Sequence, residues 1–160
     1  MSNRTHNQGE GPAEPPFWEV KSLDQMTTEQ WESLCDGCGR CCLIKLEDEE
    51  AEGGKIYFTN VACRLLDLRT CACSDYVHRR EIILDCVDLK DCEPSEFRHL
   101  PKSCAYRRLA EGRPLAAWHP LISGDPDSVH AAGVSVQDKA LSEDYVPDDA
   151  LEFHIIEWVD

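Results

Sequence analysis

The sequence lacks long apolar runs and has no excess of positive charge. Its longest aliphatic runs are short, for example Ile82-Ile83-Leu84. A membrane-spanning helix needs roughly 20 apolar residues. The chain has 16 Lys and Arg against 31 Asp and Glu, which gives a formal net charge of −15. Because nucleic acids and anionic lipid surfaces are bound by basic faces, this balance predicts that the chain binds neither nucleic acid nor membrane.

The beginning of the chain lacks the basic start and apolar core of a secretory signal. Residues 1–16 are instead polar and rich in Gly, Pro and Glu, and we expect them to form a disordered leader. Residues 17–160 have a length that suits one domain with its own hydrophobic core. Without a signal for export, we expect a cytoplasmic protein whose thiols are kept reduced.

Familiar catalytic motifs are also missing. The chain has no Gly-x-Ser-x-Gly elbow, no phosphate-binding loop, no Gly-x-Gly-x-x-Gly and no His-Glu-x-x-His. Of the six histidines, only His119 and His130 are considered as catalytic candidates. His119 precedes Pro120, which holds its backbone extended, but a surface or capping role is favoured for both. The sequence therefore leaves open whether the chain is an enzyme.

Cysteine, by contrast, is abundant, with ten residues in 160. In a reducing compartment such a density favours metal binding or redox chemistry over disulfides. The densest segment is Cys35-Asp36-Gly37-Cys38-Gly39-Arg40-Cys41-Cys42. Its Cys-x-x-Cys steps place sulfurs on the same side of a tight turn, where they can bind a zinc ion or one corner of an iron–sulfur cluster.

The adjacent thiols of Cys41 and Cys42 suggest more than one metal atom. Neighbouring side chains of an extended backbone point to opposite sides, so we expect these two to serve different ions or different atoms of one polynuclear cluster. Cys104 suits a ligand or a core position equally well, and Cys92, in a polar loop, is the thiol left out most readily. The predicted metal ligands are Cys35, Cys38, Cys41, Cys42, Cys63, Cys71, Cys73 and Cys86.

Turn and capping signals predict an α+β fold, a small single domain with short helices, a small antiparallel sheet and an irregular cysteine-rich metal-binding core. Thr27 and Gln30 form a capping-box pattern, and the helix that follows ends near Cys35, before Gly37. Residues 43–46 and 55–58 read as the strands of a hairpin. Further helices are predicted at 61–68, 76–84 and 101–112, a loop at 119–136, and a strand at 150–159.

The order of the thiols resembles a known family. The segment 35–42, a later Cys63, and Cys73-x-x-Tyr76-x-x-Arg79 leading to Cys86 are similar to the bacterial CxxCxxCC cysteine-cluster family, to which zinc or iron chelation is ascribed. The likeness runs from about Phe17 to the C-terminus. Four stretches are closer still to its YcgN branch: Val61-Ala62-Cys63-Arg64-Leu65-Leu66-Asp67, Cys104-Ala105-Tyr106-Arg107, Leu109-Ala110-Glu111-Gly112 and Trp118-His119-Pro120-Leu121. The resemblance implies metal binding but no reaction.

Three functions follow from these observations. The first is a thiolate centre that binds zinc or iron, including an iron–sulfur cluster, because thiolates suit both metals. The second is a metalloenzyme in which the metal keeps an open coordination position and His119 or a carboxylate assists. The third is an interaction module in which metal orders a surface for a protein partner.

Overall fold

A side-chain cap determines where the second helix begins. The computed structural model describes residues 13–159, so residues 1–12 of the predicted leader lie outside it. Helix α1 spans Phe17–Val20, and α2 spans Thr28–Ser33. The Gln30 N–H donates to Thr27 Oγ1 at 3.2 Å, and the Thr27 N–H donates to Gln30 Oε1 at 3.1 Å. This reciprocal pair confirms the predicted capping box.

A small mixed sheet forms around the predicted hairpin. The strands are β1 (Leu43–Asp48), β2 (Lys55–Ala62), β3 (Leu66–Asp67), β4 (Ala72–Cys73) and β5 (Leu141–Ser142). Strands β1 and β2 pair antiparallel, which confirms the hairpin, while β5 adds to β2 in parallel. The sheet is therefore mixed rather than purely antiparallel as predicted. Strands β3 and β4 form a separate antiparallel pair.

The remaining helices are single turns or little longer: α3 (Arg79–Ile82), α4 (Ala105–Ala110), α5 (Pro120–Ser123) and α6 (Ser128–Ala131). Residues 13–159 also contain six 3-10 turns, at Leu23–Gln25, Arg40–Cys42, Leu89–Asp91, Pro94–His99, Glu143–Tyr145 and Asp148–His154. None of the helices in the described part of the chain has the length and apolar surface needed to cross a membrane.

Three predicted elements are wrong. The helix expected at 61–68 is the end of β2 followed by β3, because the apolar residues there are taken up by strand pairing. The loop expected at 119–136 contains α5 and α6. The strand expected at 150–159 is largely the 3-10 turn Asp148–His154, which opens after Pro147. This last segment still reaches the hairpin through one bridge between Thr59 and Ile155.

Two hydrophobic cores meet at the segment 35–42, which we call the cysteine segment. The sheet core contains Leu43, Phe58, Ala62, Leu66, Cys71, Val136 and Val159. The helical core contains Leu34, Phe97, Leu100, Ala105, Tyr106 and Leu115. Leu34 and Leu43 are 0% and 2% exposed, so each end of the cysteine segment is anchored in a different core. The thiols between them are therefore held by the packing of both halves of the domain.

Candidate metal centre

The cysteine segment is shaped by two turns. Gly37 and Gly39 both have left-handed backbone, with φ of 75° and 73°, a conformation that favours glycine. Between them, the Cys38 N–H donates to Asp36 Oδ1 at 3.0 Å. The Cys38 carbonyl accepts from the Val136 N–H at 2.9 Å, which joins the segment to the chain after α6.

Gly39 also lies where no side chain fits. A Cβ atom at this position would stand 2.9 Å from Val136 Cγ2 and 3.3 Å from Cys71 Cβ, whereas a Cβ at Gly37 would meet nothing within 4 Å. The two glycines thus share a backbone conformation and differ only in packing. This difference separates the cost of the left-handed turn from the cost of a clash with the sheet core.

Replacing Gly39 with alanine is expected to lower the free energy of unfolding by about 2–4 kcal/mol, since backbone strain and overpacking add. Gly37→Ala, the matched control, should lower it by roughly 1–2 kcal/mol, the cost of a left-handed residue with a Cβ. Urea denaturation of both variants measures the difference. Equal losses would show that the contacts at Gly39 are relieved without cost.

The backbone at Cys41 and Cys42 is not extended as predicted. Both residues lie in the 3-10 turn Arg40–Cys42, and each thiol shifts the pKa of the other. Donation by the Cys42 thiol lowers the pKa of Cys41 to about 7, an effect that the charge of Lys45 assists. The same bond, together with burial, raises the pKa of Cys42. Cys41 is therefore the thiol of this pair that ionises first.

Three more thiols surround Cys41. Cys35 follows α2, Cys38 lies between the two glycine turns, and Cys104 is the N-cap residue of α4. Desolvation and the charge of Cys41 raise the pKa of Cys35 and of Cys104 to about 12. Desolvation, the Asp36 carboxylate and the Cys41 charge raise the pKa of Cys38. These four sulfurs thus share one electrostatic environment.

A second group of thiols continues from Cys42. The Cys63 N–H donates to the Cys42 carbonyl at 2.9 Å, which brings the link between β2 and β3 beside the cysteine segment. After desolvation, the charges of Glu143, Cys86 and Cys73 raise the pKa of Cys63. The charge of Cys63 in turn contributes to the raised pKa of Cys42, and the charge of Cys41 contributes to the raised pKa of Cys86. Both groups are therefore connected through the Cys41–Cys42 pair.

Backbone N–H groups point at several of these sulfurs in a repeated local pattern. In four cases the donor is the residue two positions after the cysteine, and its hydrogen bond favours the thiolate by lowering its pKa. The donor and thiol pairs are Gly37 with Cys35, Arg40 with Cys38, Leu65 with Cys63, and Tyr106 with Cys104. Such donors stabilise negative sulfur, the form in which cysteine binds a metal.

Two cysteines lie apart from this set. Cys71, one of the predicted ligands, is buried in the sheet core with a left-handed φ of 58°, and its sulfur accepts hydrogen bonds from the Gln137 N–H and the Ser135 hydroxyl. The Cys92 thiol donates to the Asp88 carbonyl at 3.5 Å beside the helical core. Cys104, in contrast, joins the thiols around Cys41. The Cys104 N–H donates to the Pro101 carbonyl at 2.9 Å, and α4 begins at Ala105 rather than at Pro101 as predicted.

The two histidines considered for catalysis are engaged elsewhere. His119 is 1% exposed, its Nε2–H donates to the Leu34 carbonyl at 2.8 Å, and its Nδ1 accepts from the Leu121 N–H at 3.1 Å. Both ring nitrogens are therefore used, and the ring secures the end of α2 next to Cys35. His130 Nδ1 pairs with Ser135 Oγ at 2.8 Å. His119 has no nitrogen left for a substrate.

The donor set fits a thiophilic metal in its chemistry. Within residues 13–159 no three His, Cys, Asp or Glu side chains form a ready-made coordination group, so the thiols are a connected set and not a preformed coordination sphere. The indole N–H of Trp118 is buried without a hydrogen-bond partner, and Trp118 packs against the cluster of Cys38, Val129 and Val134. Buried donors normally have acceptors, and a negatively charged sulfur would supply one here.

Comparison with known proteins finds neither a matching family model nor a matching solved structure. Curated relatives nevertheless align with most of the chain. A UPF0260 protein of Gluconacetobacter diazotrophicus is 57% identical over 144 residues, which are 90% of this chain and 88% of the relative. UPF0260 proteins of Rhizorhabdus wittichii and Azotobacter vinelandii are 58% and 54% identical, over 89% and 88% of this chain and 94% and 93% of their own lengths.

Proposed function

This chain belongs to the UPF0260 family, an uncharacterised bacterial family, and from its residues we propose that it is a thiolate metal-binding protein. The proposal is supported above all by the way in which eight thiols from distant parts of the chain interact around Cys41 and Cys42. Its resemblance to the CxxCxxCC cysteine-cluster family agrees with this assignment. The proposed bound group is zinc or an iron–sulfur centre.

The proposed ligands fall into two groups of four. The first consists of Cys35, Cys38, Cys41 and Cys104, and the second of Cys42, Cys63, Cys73 and Cys86. Four thiolates complete a tetrahedral zinc site or bind an iron–sulfur cluster, so the set suits two mononuclear sites or one polynuclear centre. Cys71 and Cys92 are left out because the charged and hydrogen-bonding groups that shift their pKa values are not thiols. The metal would supply a cross-link or an electron-transfer centre.

Metal analysis of protein purified without oxygen or chelators tests the proposal directly. An iron–sulfur centre would give bound iron, acid-labile sulfide and broad absorbance near about 400 nm. A zinc centre would give a colourless protein with zinc in stoichiometric amount. Either result supports thiolate metal binding and identifies the metal, whereas full-length protein that is folded and holds no metal under these conditions would refute it.

The metalloenzyme is the weaker alternative. A catalytic metal keeps a position for water or substrate, but the proposed set offers four thiols for each group, and both nitrogens of His119 bond to backbone. Added cyanide or azide should therefore leave the visible spectrum of the loaded protein, or of its cobalt-substituted form, unchanged. A spectral shift at millimolar ligand would reveal an open position and favour an enzyme.

Replacing Cys104 with serine is expected to remove about half of the bound metal or more, because one group of four loses a ligand. Cys92→Ser is the matched control, since both thiols lie against the helical core. It should keep the metal content and the melting temperature of the native protein. Metal per chain and thermal melting are measured on both variants. Loss of metal from Cys92→Ser but not from Cys104→Ser would reverse the assignment of these two thiols.

A further inference from the structure

Lys45 is held beside the Cys41–Cys42 pair by backbone oxygens. Its ammonium donates to the Cys41 carbonyl at 2.7 Å and to the Leu43 carbonyl at 3.0 Å. The same nitrogen lies 5.3 Å from the centre of the Phe58 ring, on the neighbouring strand β2. Three contacts thus fix a flexible side chain whose ammonium would ordinarily extend into water.

The charge of Lys45 has no carboxylate partner among residues 13–159. This is unexpected in a chain with 31 acidic residues against 16 basic ones, and Glu47 and Asp48 follow on the same strand. Glu47 pairs instead with Arg98 at 3.1 Å. Lys45 is half-buried. An ammonium shielded from water without a counter-ion is costly, so a negative charge close to it would stabilise it.

The neighbouring thiols can supply that charge. The positive charge of Lys45 favours the thiolate forms of Cys41 and Cys42. The negative charges of these two thiolates in turn favour the protonated ammonium of Lys45. Four thiolates around a divalent ion leave a net charge of about −2. A group of four that includes Cys41 and a second that includes Cys42 would place two such charges near one ammonium.

We propose that Lys45 is the charge-compensating residue of the thiolate centre, which it stabilises without being a ligand. This inference rests on the proposed function. The two carbonyl contacts hold the ammonium at the junction of the two thiol groups, so its charge favours both. Removing the charge should weaken metal binding about 10–100-fold, as expected for residues that support a metal site from outside the coordination sphere.

Three variants of the full chain test this role. Lys45→Met keeps an apolar stem against Phe58 but removes the charge, Lys45→Gln keeps an amide donor for the carbonyls, and Lys45→Arg restores the charge. Lys55→Met is the matched control, because Lys55 also lies over an aromatic ring, that of Tyr57 at 4.5 Å, at the far end of the hairpin. Zinc dissociation constants are measured by competition of the loaded protein with a chromogenic chelator, together with the circular-dichroism spectrum of the loaded protein.

The expected result is a 10–100-fold rise of the zinc dissociation constant in Lys45→Met and Lys45→Gln, with Lys45→Arg and Lys55→Met near the native value. The circular-dichroism spectrum of the loaded protein should be unchanged in all four variants, which a purely structural role of Lys45 would not allow. Native zinc affinity in both neutral variants would overturn the inference while leaving the proposed function intact. If the native chain itself binds no metal, the proposed function fails, and this inference fails with it.

Discussion

Replacing Cys38 with serine is expected to remove bound metal and soluble folded protein together. Structural thiolate sites contribute about 10 kcal/mol or more to folding, more than the whole stability of many domains. Cys38 is 7% exposed and packs with Val129 and Val134. A serine hydroxyl at this position would lose the metal and would also lie among apolar side chains.

Metal per chain, soluble yield and circular-dichroism melting measure the effect of Cys38→Ser. Cys38→Ala controls for the buried hydroxyl, since it removes the ligand and leaves only a small cavity. Both variants should lose metal, and the serine variant should be the less stable of the two. Full metal content in both, with unchanged melting, would exclude Cys38 as a ligand.

Replacing His119 with alanine is expected to lower the free energy of unfolding by about 3–5 kcal/mol. The substitution removes a large buried ring and leaves a cavity. It also leaves the Leu34 carbonyl and the Leu121 N–H without partners in the interior, which adds to the loss. Because Leu34 directly precedes Cys35, metal affinity should fall as well.

Urea denaturation measures the effect of His119→Ala on unfolding. His130→Ala is the matched control, since His130 is only half-buried and makes a single side-chain bond with Ser135. We expect it to lose no more than about 1–2 kcal/mol. If the two losses are equal, the bonds of His119 to the end of α2 contribute nothing beyond ordinary packing.

The parts of the fold that depend on neighbouring residues could be predicted from the sequence. The capping box at Thr27 and the hairpin of β1 and β2 are local patterns, and both are confirmed. The helix predicted at 61–68 is wrong because its apolar residues serve strand pairing with distant partners, including Leu141 of β5. No local pattern specifies such a partner.

For the thiols too, the local glycine turns could be predicted from the sequence and the tertiary contacts could not. The turns at Gly37 and Gly39 agree with the predicted role of these glycines, but the 3-10 turn at Cys41 and Cys42 was not indicated by the sequence pattern. The surroundings of Cys71 and Cys104 depend on tertiary packing. Cys71 packs in the sheet core, whereas Cys104 at the start of α4 is reached by the charge of Cys41.

The separation of the thiols along the chain has a consequence for the unfolded state. Cys35 and Cys104 stand near opposite ends of a long stretch of sequence, and the structure brings both to Cys41. A metal held by them would close that stretch into a loop and cut the conformational entropy of the unfolded chain, as a disulfide does, by an amount that grows slowly with loop length. The cysteines would then act as a reversible cross-link, which the supply of metal opens or closes where no disulfide persists.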